Sequence, residues 1–450
     1  MSKNEVVKNP ITEGVIWKQL LIFFFPIMIG TLFQQFYNTV DAVIVGRFVG
    51  KAALASVGGA AAVIVNLVIG FCTGLSSGAT VIISQFYGAK DQKNLHTSLH
   101  TAFALSFVMS VIFTTLGWIF TPVLLKLTQT PADVYADSLI YLRIYFLGII
   151  AVQLFNMGSS IMRAIGDSRR PLYFLIVSCI INIVLDIVFV VVFHMGVAGV
   201  ALATVIAQLI SALLVCLALM KSYEDLKLFP KQIRFDKRKL KIELRIGFPS
   251  AIQACVYSIS NIVIQTAVNA LGTNTVAAWA AYGKLDAIFW TINAAFGIAV
   301  TTFVGQNYGA GKKERVVKSV HTGLFLSLGT GLFLIAFLML TCRPIYGIFT
   351  TDSDVVEIGV YMLLKLMPSY VLAIFLEIYT GALRGIGDVF IPTLITLGGV
   401  GLVRLPWILL MMPRYNHVDI PLFSYPISWG ITTLLLVPYY YHRKRHLLKK

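Results

Sequence analysis

On the first apolar stretch of the chain, Gln34, Asn38 and Asp41 are spaced by four and by three, which stacks them on one helical face with Tyr37 beside them. Asn182 and Asp186, four apart, share a face of a later apolar segment. An unpaired charge inside hydrocarbon costs about 3 kcal/mol on insertion scales, so each acid must face a cavity, a partner or water. Asp41 lies six residues before Arg47 and Asp186 eight before His194, placing them ~9 and ~12 Å from the same side of a membrane at ~1.5 Å per residue. Two acids and an amide at one depth form a site for a proton or a sodium ion. The like charges repel, one small cation relieves the repulsion, and carboxyl and amide oxygens suit a hard ion. Asn182 would orient the acids. The alternative is a structural pair hydrogen-bonded to backbone or to Tyr37.

The chain carries an internal control on this reading, because it is written twice. Gln85, Tyr87, Gly88, Ala89, Ser98, His100 and Thr101 recur 221 positions later as Gln306, Tyr308, Gly309, Ala310, Ser319, His321 and Thr322. Arg163, Ile165, Gly166, Asp167 and Pro171 return at that interval as Arg384, Ile386, Gly387, Asp388 and Pro392. Earlier in the halves the interval is 223, Pro26 matching Pro249 and Asn38 matching Asn261. On this alignment Gln34 becomes Tyr257, Asp41 becomes Ile264 and Asp186 becomes Trp407. The second half keeps a polar stripe of Gln253, Tyr257, Asn261 and Gln265 but lacks both acids. Shared residues serve the shared fold, and the unshared acids point to chemistry. Duplicated halves in an apolar chain are the usual architecture of a secondary transporter.

The elements that must position these residues are membrane helices. Of 450 residues 58% are hydrophobic and 12% charged, with a mean hydropathy of +0.82, too few charges to cover a water-soluble body. Twelve apolar segments are long enough to cross ~30 Å of hydrocarbon: 15–46, 52–80, 95–120, 136–160, 170–193, 196–220, 246–271, 275–302, 318–341, 356–381, 390–411 and 421–441. Six helices per repeat let both halves enter from one side, related by a pseudo-twofold axis along the membrane normal. Lys3, Lys8, Lys18, Lys90, Lys93, Arg169, Arg170, Lys312, Lys313 and Arg315 collect on one side with the tail Arg443 to Lys450. The opposite loops carry mainly Arg47, Lys51, Lys126, Arg343 and Arg414, so both termini are expected in the cytoplasm. The formal charge of +16 is mostly this topology signal. The expected organisation is an N-terminal lobe over 1–220, a basic cytoplasmic linker over 221–245 and a C-terminal lobe with a basic tail over 246–450. Glu224, Asp225, Asp236 and Glu243 interrupt the basic linker, which fits anionic lipid headgroups better than nucleic acid.

The first apolar stretch is too long and too polar for a cleaved signal peptide. Five scattered cysteines, with no CxxC or Cys/His pairing of metal-site spacing, predict neither disulfide nor zinc, and no cofactor is expected. Pro26 and Pro249 fall inside the first helix of each half. Each removes a backbone hydrogen bond and makes a hinge candidate, and since Pro26 shares its helix with Asp41, protonation and bending can be coupled. Lys284 and Asp286, on different faces of the eighth helix, are candidates for a second-half cavity. Glu377, on the tenth, is a gate candidate or a snorkelling acid. Arg404, deep in the eleventh, calls for a counter-charge that the sequence does not supply. The duplicated RxIGD reads as structural, its aspartate capping the next helix and its arginine paired locally.

YNTVDAVIVGRFVG at Tyr37 to Gly50, QFYGAK at Gln85 to Lys90, QNYGAGK at Gln306 to Lys312, and RAIGD and RGIGD resemble the multidrug and toxic compound extrusion (MATE) transporters over essentially the whole chain. The resemblance implies an all-α membrane protein of twelve transmembrane helices, in two six-helix lobes around a central cavity. It also implies export of organic cations in exchange for inward protons or sodium. Asp41 coincides with the family's first-helix acid, and Asn182 with Asp186 resembles the NxxxD of the branch similar to the DNA-damage-inducible F group. The seventh helix departs from branches that carry an acid there, which favours protons over a second-lobe sodium site. Any sodium would sit at Asp41, Asn182 and Asp186.

The expected function is therefore a bacterial inner-membrane antiporter, a functional monomer, exporting amphipathic cations that Tyr37 and the acids attract by charge and cation–π contact. A related lipid-linked oligosaccharide flippase would be expected to show additional helices and a cationic cavity for phosphate. A channel is disfavoured by proline-hinged halves. An enzyme would need a nucleophile–base or metal constellation, and no HExxH, GxSxG or Walker pattern occurs.

Overall fold

The computed structural model describes residues 9–221, 223 and 226–449; Lys3, Lys8, Glu224, Asp225 and Lys450 lie outside the described residues. The chain is all-α. Its helices are α1 (Pro10–Glu13), α2 (Ile16–Ile44), α3 (Lys51–Gly58), α4 (Ala60–Gly88), α5 (Gln92–Leu127), α6 (Ala132–Leu147), α7 (Ile149–Ala164), α8 (Arg169–Asp186) and α9 (Gly196–Lys221). They continue as α10 (Lys237–Asn269), α11 (Thr273–Gly309), α12 (Lys313–Leu340), α13 (Cys342–Phe349), α14 (Ser353–Leu366), α15 (Tyr370–Gly385), α16 (Phe390–Leu397), α17 (Leu405–Tyr415) and α18 (Asp419–Lys449). Among the described residues eleven spans are long and apolar enough to cross a membrane, and the bent pair α6–α7 makes a twelfth.

Helix ends depart from the sequence expectation where caps and turns decide them. The second and eighth spans run to Gly88 and Gly309, because QFYGAK and QNYGAGK are helix endings rather than loops. Asp91 N donating to Phe86 O and Lys312 N donating to Asn307 O close the two last turns, with φ of 55° at Lys90 and 70° at its repeat partner Gly311. The seventh span begins at Lys237, two turns earlier than hydropathy suggests, since Asp236 Oδ1 accepts from Arg238 N (3.0 Å) and Lys239 N (2.9 Å). The fourth span bends by 49° at Gly148. A Cβ there would lie 2.5 Å from Val205 Cγ2, so only glycine admits the approach of α9.

By internal contacts the chain divides into two compact units, Phe25–Ala254 and Met1–Phe24 with Cys255–Lys450. Both divisions fall inside a proline-bearing helix, within a few residues of Pro26 in α2 and of Pro249 in α10, and both helices run through their prolines.

In the unit Phe25–Ala254, α4 meets α10 backbone to backbone. A Cβ on Gly74 would stand 2.5 Å from Ala251 Cα, and one on Gly247 2.5 Å from Leu75 O. The segment before α10 folds back on this unit. Leu228 N donates to Leu219 O (2.9 Å), Phe229 N to His100 Nε2 (3.0 Å) and Asp236 N to Thr101 Oγ1 (3.2 Å), with Leu226 and Leu228 buried. The basic linker is thus partly clamped to the unit, and Lys239 stacks on Phe86 at 4.1 Å.

The other unit is capped in a parallel way by α1. Asn9 Nδ2 donates to Gln306 Oε1 (2.9 Å), Lys312 Nζ to Thr12 O (3.0 Å) and Arg315 Nε to Ile11 O (3.2 Å). The duplication reaches single hydrogen bonds: Thr80 Oγ1 donates to Ser160 O (3.5 Å) and its repeat partner Thr301 Oγ1 to Gly381 O (3.1 Å).

Candidate functional site

In the unit Phe25–Ala254, α2 and α8 bring Asp41 and Asp186 within interaction range of each other, with Tyr37 and Tyr141 close to both. Asp186 is 0% exposed and Asn182 1%, while Asp41 is half-buried. Both acids adjoin irregular helix. The π-helical turn Val45–Val49 starts four residues after Asp41, and another, Ile187–Val192, starts directly after Asp186. Such turns release backbone from the regular ladder and recur at functional sites. Tyr37 packs on Leu175 and Cys179, and Tyr141 and Tyr145 stack with ring centres 6.1 Å apart.

Asp41 Oδ1, both Asp186 oxygens and both polar side-chain atoms of Asn182 are buried without a hydrogen-bond partner among the described residues. Two ionised carboxylates cannot hydrogen-bond each other. One proton placed between them would supply the missing donor, and a small hard cation would supply charge to the same oxygens. Either would satisfy the buried oxygens.

The remaining sequence candidates are dispersed. Gln34 is half-buried and Asn38 exposed; Tyr257 is half-buried, and Asn261 and Gln265 are exposed, Gln265 Nε2 donating to Asn269 Oδ1 (2.8 Å). Lys284 is exposed, whereas Asp286 accepts the Tyr370 hydroxyl, which also bonds Tyr282. Glu377 is half-buried over α11, where a Cβ on Gly297 would lie 2.7 Å from its Cγ.

Arg404, 1% exposed, ends a π-helical run over Gly398–Arg404 and has partners that the sequence did not reveal. Its Nε and Nη2 donate to Ser428 Oγ (3.1 and 2.9 Å), and its guanidinium lies over Tyr425. A ring face and a hydroxyl stand where a counter-charge was expected. The RxIGD aspartates act as caps and clasps. Asp167 Oδ1 accepts from Arg169 N and Arg170 N (both 3.1 Å) and Oδ2 from Tyr223 (2.6 Å), while Asp388 accepts from Tyr439 (2.7 Å) and pairs with Arg443.

Tyr141 and Tyr145 are site residues that sequence reasoning missed. Their i, i+4 spacing is a signal, but in a chain with 19 tyrosines it does not separate them from ordinary core.

A duplicated set of membrane helices, with an acid pair in one half that the other lacks, is the architecture of a secondary transporter of the multi-pass α-helical class. The MatE family model matches residues 26–188 and again 249–410, its two matches opening on the paired prolines, and the chain belongs to that family. The probable multidrug resistance protein YoeA of Bacillus subtilis is 29% identical over 98% of this chain and 96% of its own length. YpnP of the same organism, also a probable multidrug resistance protein, is 34% identical over 68% of each chain. An outward-facing multidrug resistance MATE family transporter of the MOP superfamily superposes with a TM-score of 0.90 at 21% identity, covering 97% of this chain and 98% of its own.

Proposed function

We propose that this protein is an antiporter that exports amphipathic organic cations in exchange for protons, by alternating access, with Asp41 and Asp186 as the exchanging acids and Asn182 orienting them. The observation that carries this reading is a pair of carboxyl groups, Asp186 wholly buried and Asp41 half-buried, in which Asp41 Oδ1 and both Asp186 oxygens are buried without a hydrogen-bond donor among the described residues, and whose positions are Ile264 and Trp407 in the other half of the duplicated chain. A carboxyl pair that must be neutralised to stay buried is a natural carrier of one proton per cycle. Sodium at Asp41, Asn182 and Asp186 is the competing ion. The NxxxD spacing of Asn182 and Asp186 favours the branch similar to the DNA-damage-inducible F group. Lys and Arg asymmetry favours cytoplasmic termini in a bacterial inner membrane, and the protein acts as a monomer.

Uptake of ethidium into inverted vesicles under an imposed proton or sodium gradient tests the reading. A proton gradient should drive uptake, Asp41→Asn should abolish it while leaving the protein folded, and preloaded substrate should accelerate it from the other side. Wild-type rates in Asp41→Asn would remove the acid pair from the mechanism. Uptake without such acceleration would indicate a pore.

A further inference from the structure

The imidazole of His100, on α5, has both nitrogens committed. Nδ1 lies 2.7 Å from His96 O, one turn back, and Nε2 receives the Phe229 N–H at 3.0 Å. A carbonyl oxygen only accepts and a backbone N–H only donates, so the proton sits on Nδ1 and Nε2 keeps its lone pair. The ring is neutral in this arrangement. A second proton, on Nε2, would meet the Phe229 N–H donor to donor. His100 is 4% exposed, and the Phe229 ring lies nearly parallel to it.

What the imidazole holds is the chain that follows α9. Leu226 and Leu228 enter a buried cluster with Leu95, Leu99 and Leu219, and Leu228 N donates to Leu219 O. Asp236, seven residues past Phe229, is anchored separately, by Thr101 Oγ1 and by its own cap on α10. The packed elements bring charged groups to this end of the unit: His96 on α5 and Asp91 at its N-cap, Arg163 in the last turn of α7, Lys227 and Asp236 in the linker, and Lys239 on α10. α6 meets α5 farther along, at Thr114. Among the described residues neither Asp91 nor Asp236 forms an ion pair with His100, so no acid steadies the ring once it is charged.

The other unit repeats the demand. His321, 221 positions later, has Nε2 3.4 Å from Lys444 Nζ, a group that only donates, near the end of α18. Each of the duplicated histidines thus offers a lone pair to chain at or beyond the last span of its own half.

We propose that His100 is a proton-operated latch on the linker. Neutral, it holds residues 226–229 against the unit; protonated, it releases them and leaves the Asp236 anchor in place. A released imidazole faces water and takes a proton below about pH 6.5, whereas the docked one has no room for it. Docking is therefore complete above that pH and weakens below it, by up to about tenfold per pH unit for one proton. The latch does not depend on which ion the acid pair carries.

Hydrogen exchange of the purified full chain, corrected for its intrinsic pH dependence and followed from about pH 8 to about pH 5, spans the histidine range and tests it. The Phe229 amide should lose protection as pH falls while the Asp236 amide keeps it, and exchange at the His100 ring C2–H, read by mass spectrometry, should titrate with the same midpoint. His100→Gln keeps a neutral acceptor oxygen and His100→Ala removes the acceptor. Both should abolish the step, and the alanine chain should be unprotected at Phe229 throughout. Flat protection of Phe229 in the wild type, a midpoint apart from that of the His100 ring, a step that survives either substitution, or an alanine chain that stays protected would each overturn the latch.

Discussion

The guanidinium carbon of Arg404 lies 4.4 Å from the ring centre of Tyr425, and Tyr425 O accepts the proton of the same Ser428 hydroxyl that receives Arg404 Nε and Nη2. A permanently charged group is thus held in an apolar core by a ring face and one hydroxyl. Tyr425→Leu removes the face and should destabilise the folded protein by about 2 kcal/mol, the worth of a desolvated cation–π contact. Tyr425→Phe keeps the face and should melt close to wild type. Equal melting temperatures for the Leu and Phe variants would show that the ring does not hold the charge.

Asp186→Asn separates stability from transport. The amide is isosteric and uncharged, so replacing a wholly buried carboxyl should not lower the melting temperature, yet the pair loses the group that shares its cation. Proton-driven ethidium uptake should fall to the level of empty vesicles. Retained uptake with an unchanged dependence on the proton gradient would place the exchange elsewhere.

Much of this was legible in the residue order because hydrophobic length and a constant repeat interval are global signals. All twelve apolar segments correspond to helical spans, and Asp41 and Asp186, placed at one depth by counting, do come together. Side-chain partners across helices were not legible. Nothing in the spacing of Arg404 announces Tyr425 and Ser428, which come from another helix, and nothing in Asp286 announces Tyr370. Helix ends were misjudged where they are set by caps and left-handed turns rather than by hydropathy, as at Asp236 and Lys90.

The contact of α4 with α10 should be intolerant of a single methyl. A Cβ on Gly74 would meet Ala251 Cα at 2.5 Å and Ala251 N at 2.6 Å, backbone atoms that cannot rotate aside. Gly74→Ala should cost about 1–3 kcal/mol through overpacking. Melting of the detergent-purified variant checks this, and an unchanged transition would mean that the two helices separate at little cost.

The clamped linker should respond to acid. Backbone donation from Lys239 and Arg238 holds the Asp236 carboxyl below its usual range, so its capping contribution is present above the ordinary carboxylate pKa of about 3.9 and lost as pH falls through the lower folded value. Hydrogen exchange, corrected for its intrinsic pH dependence, should show the amide of Asp236, which donates to Thr101 Oγ1, protected near neutrality and progressively less so below about pH 4. Asp236→Ala should show the reduced protection at every pH. Protection that is flat across this range in the wild type would detach the cap from linker docking.

The repeat also marks a position where the first half is strained and the second is not. Lys90 ends α4 at φ 55°, a left-handed conformation in which an L side chain crowds the backbone, and the matching residue after α11 is Gly311 at φ 70°. Lys90→Gly keeps the turn and removes the crowding, worth about 1 kcal/mol, partly offset by the greater freedom glycine gives the unfolded chain. The variant should melt at or slightly above wild type, whereas Gly311→Lys, the reverse exchange in the other half, should melt below it. If both substitutions shift the transition in the same direction, the two turns are not equivalent and the strain assigned to Lys90 is not what distinguishes them.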